Sequence, residues 1–380
     1  MRAEWIEHTA DLDSRVLEQW RVLAIQQGKP YCLPEWMLAW WRHAAPPDAR
    51  LRILQVTDGD DLIGVGPFHL DRRFGLSNLR ILGAGTSSGA APLAADGARQ
   101  ELAAAIRELL LGQRQADVAM LEGVPVEARW LDELFTDRPS PAGKLYPVKG
   151  WLQPNPTLSM PENGYDRWFE SKGAKFRARM RRGDRQLASL GGRHHLSEGT
   201  AEILSRLSEF ERLHELRWKA RGGSDVLSRA VAGFLEDFAQ SSPENLRVWS
   251  VDVNDRTVSV QLLVAAGGTI CHWLGGIDES FSGLHPGAGV LGLHAAIEHA
   301  WKAGDHTFDF GAGGQPFKYR FADGEYQLEW SGAARARWCT IPAHIPGLGA
   351  RTRLAVTRRL SPESKRRLRF WQRKIRRLSG

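Results

Sequence analysis

The sequence has few cysteines, no long apolar run and no apolar segment near its start. Its three cysteines, Cys32, Cys271 and Cys339, are widely separated along 380 residues. This pattern matches neither a disulfide framework nor a zinc motif, and it favours a reducing compartment. No window approaches the roughly 18 consecutive apolar residues of a membrane-spanning helix. Because the first fifteen residues mix acidic with apolar side chains, we expect no secretory signal and predict a cytoplasmic protein.

The positive charge is concentrated at the C-terminal end. The chain has a net charge of +7, whereas residues 351–380 hold twelve Lys or Arg and one Glu. That segment alone carries +11, so the rest of the chain carries −4. We predict a basic amphipathic tail over residues 341–380. Two interpretations stay open: a solvated helix that docks on its own protein, or peripheral contact with an anionic membrane at the inner face or with nucleic acid.

The N-terminal part has the pattern of a small α/β unit. Apolar periodicity predicts helices near 12–23, 34–41 and 99–111, with strands in LRILQVTD, in LIGVGPFHL and over 117–121. Proline-rich residues 150–160 indicate an extended connector. We therefore predict an N-terminal unit at 1–150, a connector at 151–163 and a second unit at 164–340.

The second unit begins with helices and continues as strands. We predict one basic helix through WFESKGAKFRARMRRGDRQLASLGG, then helices at 201–220 and 228–240. Strands at 246–253, 257–266 and 269–277 are separated by Asn254-Asp255 and Gly267-Gly268, which predicts an antiparallel meander. A helix over 290–303 then connects to a strand at 306–310, and such a crossover returns a parallel strand.

Glycine-rich loops flank this crossover. The segment SGLHPGAGVLGLHAAIEHAWKAG contains a loop that opens a helix, and FDFGAGGQPFKYRF contains a second loop that carries Lys318. A helix start presents free backbone N–H groups to an anion. The sequence therefore predicts that an anionic or phosphorylated group lies between the two loops.

These motifs, together with KFRARMRRGDRQL, FERLHELRWKARG, HWLGGID and PEWMLAWW, resemble the GNAT acyltransferase superfamily. Within it they resemble the CelD-like acetyltransferases, which are related to the Fem-type aminoacyl ligases. The resemblance implies an α/β (α+β) fold of tandem GNAT-like units. It implies a mixed, mostly antiparallel sheet with one splayed parallel strand pair and flanking helices.

The resemblance also implies acetyl-CoA or another acyl-CoA as co-substrate, with no metal. It places the cofactor-binding residues in the last meander strand and at the following helix start: Leu274, Gly275, Gly276, Gly287, Ala288, Gly289 and Val290. The loop departs from the usual acyl-CoA pattern at His285-Pro286, which keeps a different acyl donor open. Phe317 stands where relatives commonly have a tyrosine.

Three residues are candidates for catalysis. Lys318 holds the donor phosphate or the developing oxyanion, as the matching lysine does in Fem-type relatives, or it is a surface lysine. Asp309 acts as a base or orients Lys318; alternatively it pairs with Arg320 or caps the Gly311 turn. His272 acts as a neutral base at the splay or lies in the core or at the surface.

Four residues are candidates for binding the acyl acceptor. Arg217 and Trp218 lie at the end of a predicted helix, and Tyr319 and Arg320 follow the second glycine loop. The interpretation for Arg217 and Trp218 rests on the resemblance, and a helix-end cation beside a core indole is the alternative. The basic run from Lys172 to Arg185 is either a solvated helix face or a contact for a polyanion or tRNA. His294 and His299 are five residues apart and do not share a helix face, so we predict no metal site.

Three functions follow. The first is an N- or O-acyltransferase that moves an acyl group from acyl-CoA to a sugar, a glycan precursor or a metabolite. The second is a Fem-type ligase that uses aminoacyl-tRNA, in which basic segments bind phosphates. The third is a non-catalytic component of polysaccharide biosynthesis.

Overall fold

A computed structural model describes residues 1–95, 97–135, 143–219, 228–341 and 343. The predicted basic tail lies beyond these residues, except at its first positions. We call residues 1–135 the N-terminal half and residues 143–343 the C-terminal half.

The N-terminal half packs helices against a run of antiparallel strands. Trp20 and Trp36 are fully buried between its helices and the sheet, and the Asp13 side chain caps the first helix by accepting from the Val16 backbone N–H. Its elements are β1 (Arg2–Ile6), α1 (Ser14–Gln26), α2 (Pro34–Ala44), β2 (Arg50–Asp58), β3 (Asp61–Arg73), β4 (Leu76–Ile81), β5 (Leu93–Ala94), α3 (Ala98–Leu111), β6 (Val118–Pro125) and α4 (Trp130–Phe135).

The C-terminal half contains the predicted meander and crossover. Its elements are β7 (Tyr146–Ser159), α5 (Tyr165–Ser171), α6 (Ala174–Ser189), β8 (Gly192–Leu196), α7 (Thr200–Lys219), α8 (Arg229–Ser241), β9 (Leu246–Val253), β10 (Arg256–Ala266), β11 (Thr269–Ile277), α9 (Ala288–Lys302), β12 (Thr307–Asp309) and β13 (Gly324–Ala334).

The predicted basic helix is two helices. α5 ends at Ser171, Lys172 adopts an extended conformation, and α6 begins after Gly173. Glycine in a helix interior is less favourable than alanine by about 1 kcal/mol, which explains the break at Gly173. The predicted end of the basic segment is confirmed, because Gly191 has a φ of +65° directly after α6.

A single sheet joins the two halves. Its strand order is β1-β2-β3-β4-β6-β13-β7-β12-β11-β10-β9-β8, and β5 pairs with β3. Most neighbours are antiparallel, whereas β4 pairs with β6 and β11 pairs with β12 in parallel. The predicted fold class is confirmed, with one addition. The sheet has two parallel strand pairs, one in each half, whereas the sequence predicted one.

The C-terminal half supplies both strands at the centre of this sheet. β7, which includes most of the predicted connector, pairs with β12 and β13. β13, the last strand of the chain's described part, pairs with β6 of the N-terminal half. Each parallel pair is thus flanked by a strand from elsewhere in the chain. The connector is part of the sheet, and the division into units at residue 150 stays a prediction.

Helices cover both faces of the sheet. One core contains α1, α2, α3, α7 and α8 side chains, in which Trp36 contacts Phe234, Phe238 and Trp273. A second core forms beneath α5, α6 and α9. The contact of α2 with α8, with an Arg42–Asp237 ion pair at its edge, fixes the N-terminal half against the C-terminal half close to β11.

Among the described helices, none combines the length and the apolar character that crossing a membrane requires.

Candidate functional site

The parallel strands β11 and β12 separate after three residue pairs. Thr269, Ile270 and Cys271 pair with residues 307–309, and Gly311 then turns the chain away with a φ of +74°. From His272 to Ile277, β11 pairs with β10 on one side but with no described strand on the other. The predicted splay is therefore present, and it leaves a free strand edge.

A cavity of about 570 Å³, the first cavity, lies at this splay. It brings together the last part of β11, the start of α9, the loop after β12 and the end of α7. Among the predicted site residues, it is lined by His272, Leu274, Gly275, Gly287, Gly289, Val290, Lys318, Arg217 and Trp218.

The start of α9 faces the first cavity as a site for negative charge. Gly287 is the N-cap, no side chain caps the helix, and no acidic residue lies in the first turn. A Cβ added to Gly289 would lie 2.4 Å from Ile277 Cδ1, so glycine lets the helix start approach β11 closely. A Cβ on Gly287 would meet nothing within 4 Å. The positive end of the helix dipole therefore lies beside open space at Gly287, and a helix start leaves its first N–H groups without partners inside the helix.

Lys318 is a buried cation that lines the first cavity. Its side chain is folded onto the glycine loop, where Nζ donates to the carbonyl oxygens of Gly311 at 2.7 Å and Ala312 at 2.8 Å. Burial lowers the pKa of Lys318 to about 8, although the Asp309 carboxylate acts to raise it. An ammonium has three N–H donors, so one is left for a ligand after these two bonds.

Asp309 is placed below the loop rather than in the first cavity. Its Oδ1 accepts from Asn155 Nδ2 and from the Gly311 backbone N–H, both at 2.7 Å, and its Oδ2 accepts from the Tyr326 hydroxyl at 2.7 Å. The predicted cap on the Gly311 turn is present, whereas Arg320 is exposed. Because both of its oxygens already accept hydrogen bonds, one of them from the Gly311 N–H, Asp309 shapes the loop that carries Lys318.

His272 is held by a glutamine in the first cavity. Gln261 Nε2 donates to Ser259 Oγ at 3.0 Å and approaches the Gly289 carbonyl oxygen at 3.5 Å, so Gln261 Oε1 faces His272 Nε2 at 2.8 Å. His272 Nε2 must then carry the proton, which leaves the lone pair on Nδ1. Burial and the Lys318 charge lower the pKa of His272 to about 4, so its ring is neutral at physiological pH.

The structure separates the predicted acceptor-binding residues. Arg217 and Trp218 line the first cavity, and Arg217 forms an ion pair with Glu279 at 3.1 Å. Tyr319 and Arg320 do not line it. Tyr319 is 45% exposed and its hydroxyl donates to Glu325, and Arg320 points to solvent.

Two predicted cofactor-binding residues also lie outside the lining. Ala288 is buried in the core beneath α9. Gly276 faces α7, where an added Cβ would lie 3.1 Å from the Phe210 carbonyl oxygen.

The N-terminal half contributes residues that were not among the predicted site residues. Tyr31, Thr86 and Ser88 line the first cavity, as do Gln261 and Gln315 from the C-terminal half. Tryptophans position the loop: Trp40 Nε1 donates to Thr86 Oγ1, and Trp273 Nε1 donates to the Thr86 carbonyl. The tryptophan-rich helix was predicted, but its pattern did not show which loop it would contact.

Within the described residues, no group of three His, Cys, Asp or Glu side chains is arranged to hold a metal ion.

The residues that the C-terminal half contributes to the first cavity match a known protein family. Residues 174–319 match the acetyltransferase (GNAT) domain. The matched range contains the splay, the α9 start and Lys318. No curated protein matches the chain.

Solved structures with the same fold cover nearly the whole chain. FemX is similar at a TM-score of 0.59 and 13% identity, covering 88% of this chain and 97% of FemX. The C-terminal domain of a protein named as a lysylphosphatidylglycerol synthetase, from Agrobacterium fabrum, is similar at 0.56 and 11% identity, covering 86% and 94%. A protein of unknown function from Bacteroides thetaiotaomicron is similar at 0.54 and 10% identity, covering 88% and 100%. At these identities the likeness concerns the fold.

Proposed function

We propose that this protein is an acyltransferase that moves an acyl group from acyl-CoA to an amine or hydroxyl of a sugar, a glycan precursor or a metabolite. The observation that carries the proposal is that Lys318 and the uncapped start of α9 line the same cavity at the splay. The GNAT domain match over these residues supports it. A place in polysaccharide biosynthesis, as in CelD-like proteins, stays a prediction.

The residues at the first cavity suit an acyl-CoA. The N–H groups at the start of α9, beside Gly287 and Gly289, are suited to a pyrophosphate. The free edge of β11 from Leu274 to Ile277 offers backbone groups for the amides of a pantetheine arm. The close contact of Gly289 with Ile277 keeps these two surfaces adjacent. The bound donor supplies an activated thioester carbonyl.

Two side chains have roles in the transfer. Lys318 has an N–H donor left over from the loop, and its positive charge stabilises the oxyanion that forms when the acyl carbonyl is attacked. Neutral His272, with its lone pair on Nδ1, accepts a hydrogen bond from the attacking N–H or O–H group and helps to remove its proton. Gln261 fixes this tautomer, so it positions His272.

The proposal is tested first by binding. Thermal unfolding of the purified protein is measured with free CoA, acetyl-CoA and longer acyl-CoAs. A ligand at about 100 times its dissociation constant stabilises the protein by about 2.7 kcal/mol. If every CoA species leaves the unfolding temperature unchanged, the proposal is wrong.

The same preparation separates the Fem-type alternative, which the fold similarity to FemX motivates. We expect CoA species to bind and charged tRNA to bind no better than uncharged tRNA. A salt-sensitive complex that requires the aminoacyl group, without CoA binding, supports the ligase instead. CoA binding without transfer to any of a panel of amino sugars and amines supports the non-catalytic alternative.

A further inference from the structure

A second cavity of about 530 Å³ lies on the other side of the splay. The N-terminal half forms its walls through the turn before α2, the segment around β5, and the start of α4. Side chains from the centre of the sheet form its floor: Thr269, Cys271, Thr307, Asp309 and Tyr326.

The two cavities meet where β11 and β12 separate. Tyr31 and Ser88 line both of them. Cys271 and Asp309 line the second cavity, whereas the next residues, His272 and Phe310, line the first. A molecule in the second cavity therefore approaches the Lys318 end of the first cavity from the face opposite α9.

Lys29 gives the second cavity a positive charge. It is half-buried in the wall, and its ammonium acts to lower the pKa values of the Cys32 and Cys271 thiols, which burial raises. Its charge is thus felt at the floor of the second cavity. Among the described residues, no carboxylate lies within ion-pair distance of Lys29.

Arg99, the other cation of the lining, already has partners. It lies 3.6 Å from Glu133, it donates to the Ala128 carbonyl, and its guanidinium stacks 4.6 Å from the Trp130 ring centre. Glu127 is exposed at the rim. Lys29 is therefore the lining group best suited to bind an anion.

We propose that the second cavity binds the acyl acceptor and that Lys29 binds a carboxylate or phosphate group of that acceptor. This proposal rests on the proposed function, because it assigns the first cavity to the acyl donor. In a donor bound along the β11 edge and the α9 start, the protein covers one face of the thioester, so the acceptor must approach the other face. The acceptor then reaches the acyl carbon past Tyr31 and Ser88, where the cavities meet.

The transfer balances with these two substrates alone. The acceptor nitrogen or oxygen forms a bond to the acyl carbon, and the carbon–sulfur bond breaks. The CoA thiolate leaves with the electron pair, and the proton of the acceptor group passes by way of His272 Nδ1 to the thiolate or to the solution.

The probes are glucosamine 6-phosphate, glucosamine and inorganic phosphate, titrated calorimetrically at constant ionic strength into the full chain. Each titration is done with and without saturating CoA, so that phosphate binding at the α9 start is blocked in one arm. The variants are Lys29→Ala and Lys29→Arg. The matched control is Lys302→Ala, which removes an exposed lysine paired with Glu298.

With CoA present, we expect the wild type to bind glucosamine 6-phosphate more tightly than glucosamine. We expect Lys29→Ala to weaken glucosamine 6-phosphate binding roughly tenfold, because a charge-assisted hydrogen bond is lost, and to leave glucosamine unchanged. We expect Lys29→Arg to retain most of the affinity and Lys302→Ala to bind like the wild type.

A second variant, Ala94→Phe, places a large side chain in the second cavity from the half-buried Ala94 of β5. We expect it to weaken the binding of glucosamine 6-phosphate but not the binding of CoA.

Two results overturn the proposal: no binding of either phosphate probe in the presence of CoA, or equal affinities for wild type and Lys29→Ala. Binding that Ala94→Phe leaves intact also overturns it. A failure of CoA itself to bind is a separate result, and it counts against the proposed function. If the sugar phosphate then still binds in a Lys29-dependent way, an anion site is present without an acyl-CoA partner, and its assignment as an acceptor site is wrong.

Discussion

Lys318 and Asp309 bind opposite ends of the same residue. Lys318 Nζ donates to the Gly311 carbonyl oxygen, and Asp309 Oδ1 accepts from the Gly311 backbone N–H, each at 2.7 Å. Gly311 has a φ of +74°, which glycine adopts without strain. The glycine turn, the buried cation and the buried carboxylate are therefore one structural unit, in which Asp309 positions the loop and Lys318 faces the first cavity.

We predict that Lys318→Met lowers kcat about 100-fold or more, because the variant lacks the donor to the developing oxyanion. The steady-state rate of CoA release from acetyl-CoA, measured for the wild type and the variant, gives the two kcat values. Lys172→Met is the control, since Lys172 is half-buried and, like Lys318, donates to a backbone carbonyl, but that of Phe321, outside the first cavity. A similar loss in both variants would mean that Lys318 has only a structural role.

The pH dependence follows from the lowered pKa of Lys318, about 8. Because the ammonium form stabilises the oxyanion, we predict that kcat falls as the pH rises through about 8. In the unfolded chain the pKa of a lysine is about 10.4, so between these values the unfolded state binds more protons and stability rises with pH. Urea unfolding from pH 7 to 10.5 should show this rise in wild type and a smaller rise in Lys318→Met. If the unfolding free energy rises equally with pH in the wild type and in Lys318→Met, the Lys318 ammonium is not buried at a cost.

We predict that Asp309→Asn destabilises the protein by about 1–3 kcal/mol, since an amide cannot accept from Asn155, Gly311 and Tyr326 at once. It also removes the negative charge that raises the pKa of Lys318. The alkaline fall of kcat should therefore move to lower pH. Asp323→Asn, an exposed change on the neighbouring segment, is the control. An unchanged alkaline limb in a folded Asp309→Asn protein would show that the two charges are not coupled.

Alanine substitution at the two glycines of the α9 start, Gly287 and Gly289, is predicted to affect stability differently. In Gly289→Ala the new Cβ would lie 2.4 Å from Ile277 Cδ1, so we expect a loss of about 1–3 kcal/mol in unfolding free energy and weaker CoA binding. In Gly287→Ala the Cβ meets nothing within 4 Å, and we expect nearly wild-type stability. Urea unfolding and CoA titration measure both. If the two variants are equally stable, the helix start does not depend on the close approach to β11.

The meander and crossover were predictable because their determinants are local. The bounds 246–253 and 269–277 were predicted from alternation, and both turns hold residues with positive φ: Asn254, Asp255, Gly267 and Gly268. A helix between strands 269–277 and 307–309 required a parallel return. These elements position the α9 start and Lys318, so the sequence indicated the part of the site that we propose to bind the acyl donor.

The central position of β7 and β13 in the sheet was not predictable from local pattern. Pro154 and Pro156 argue against a central strand, because proline has no N–H to donate. In the structure their carbonyls accept from Gly313 and Phe310, so this side of β7 uses acceptors that proline retains. The contribution of Tyr31 and Ser88 has the same origin, since contacts between distant segments leave no periodic signal. Consequently the second cavity appears only in the fold.

A calorimetric titration of the purified wild type and of Gly287→Trp with CoA tests whether the first cavity binds the acyl donor. We predict one CoA per chain for the wild type. We predict little or no binding by Gly287→Trp, in which an indole fills the open space before α9, at an unfolding temperature close to that of the wild type. No binding by the wild type, or equal binding by a folded Gly287→Trp protein, would contradict the claim that the first cavity holds an acyl-CoA.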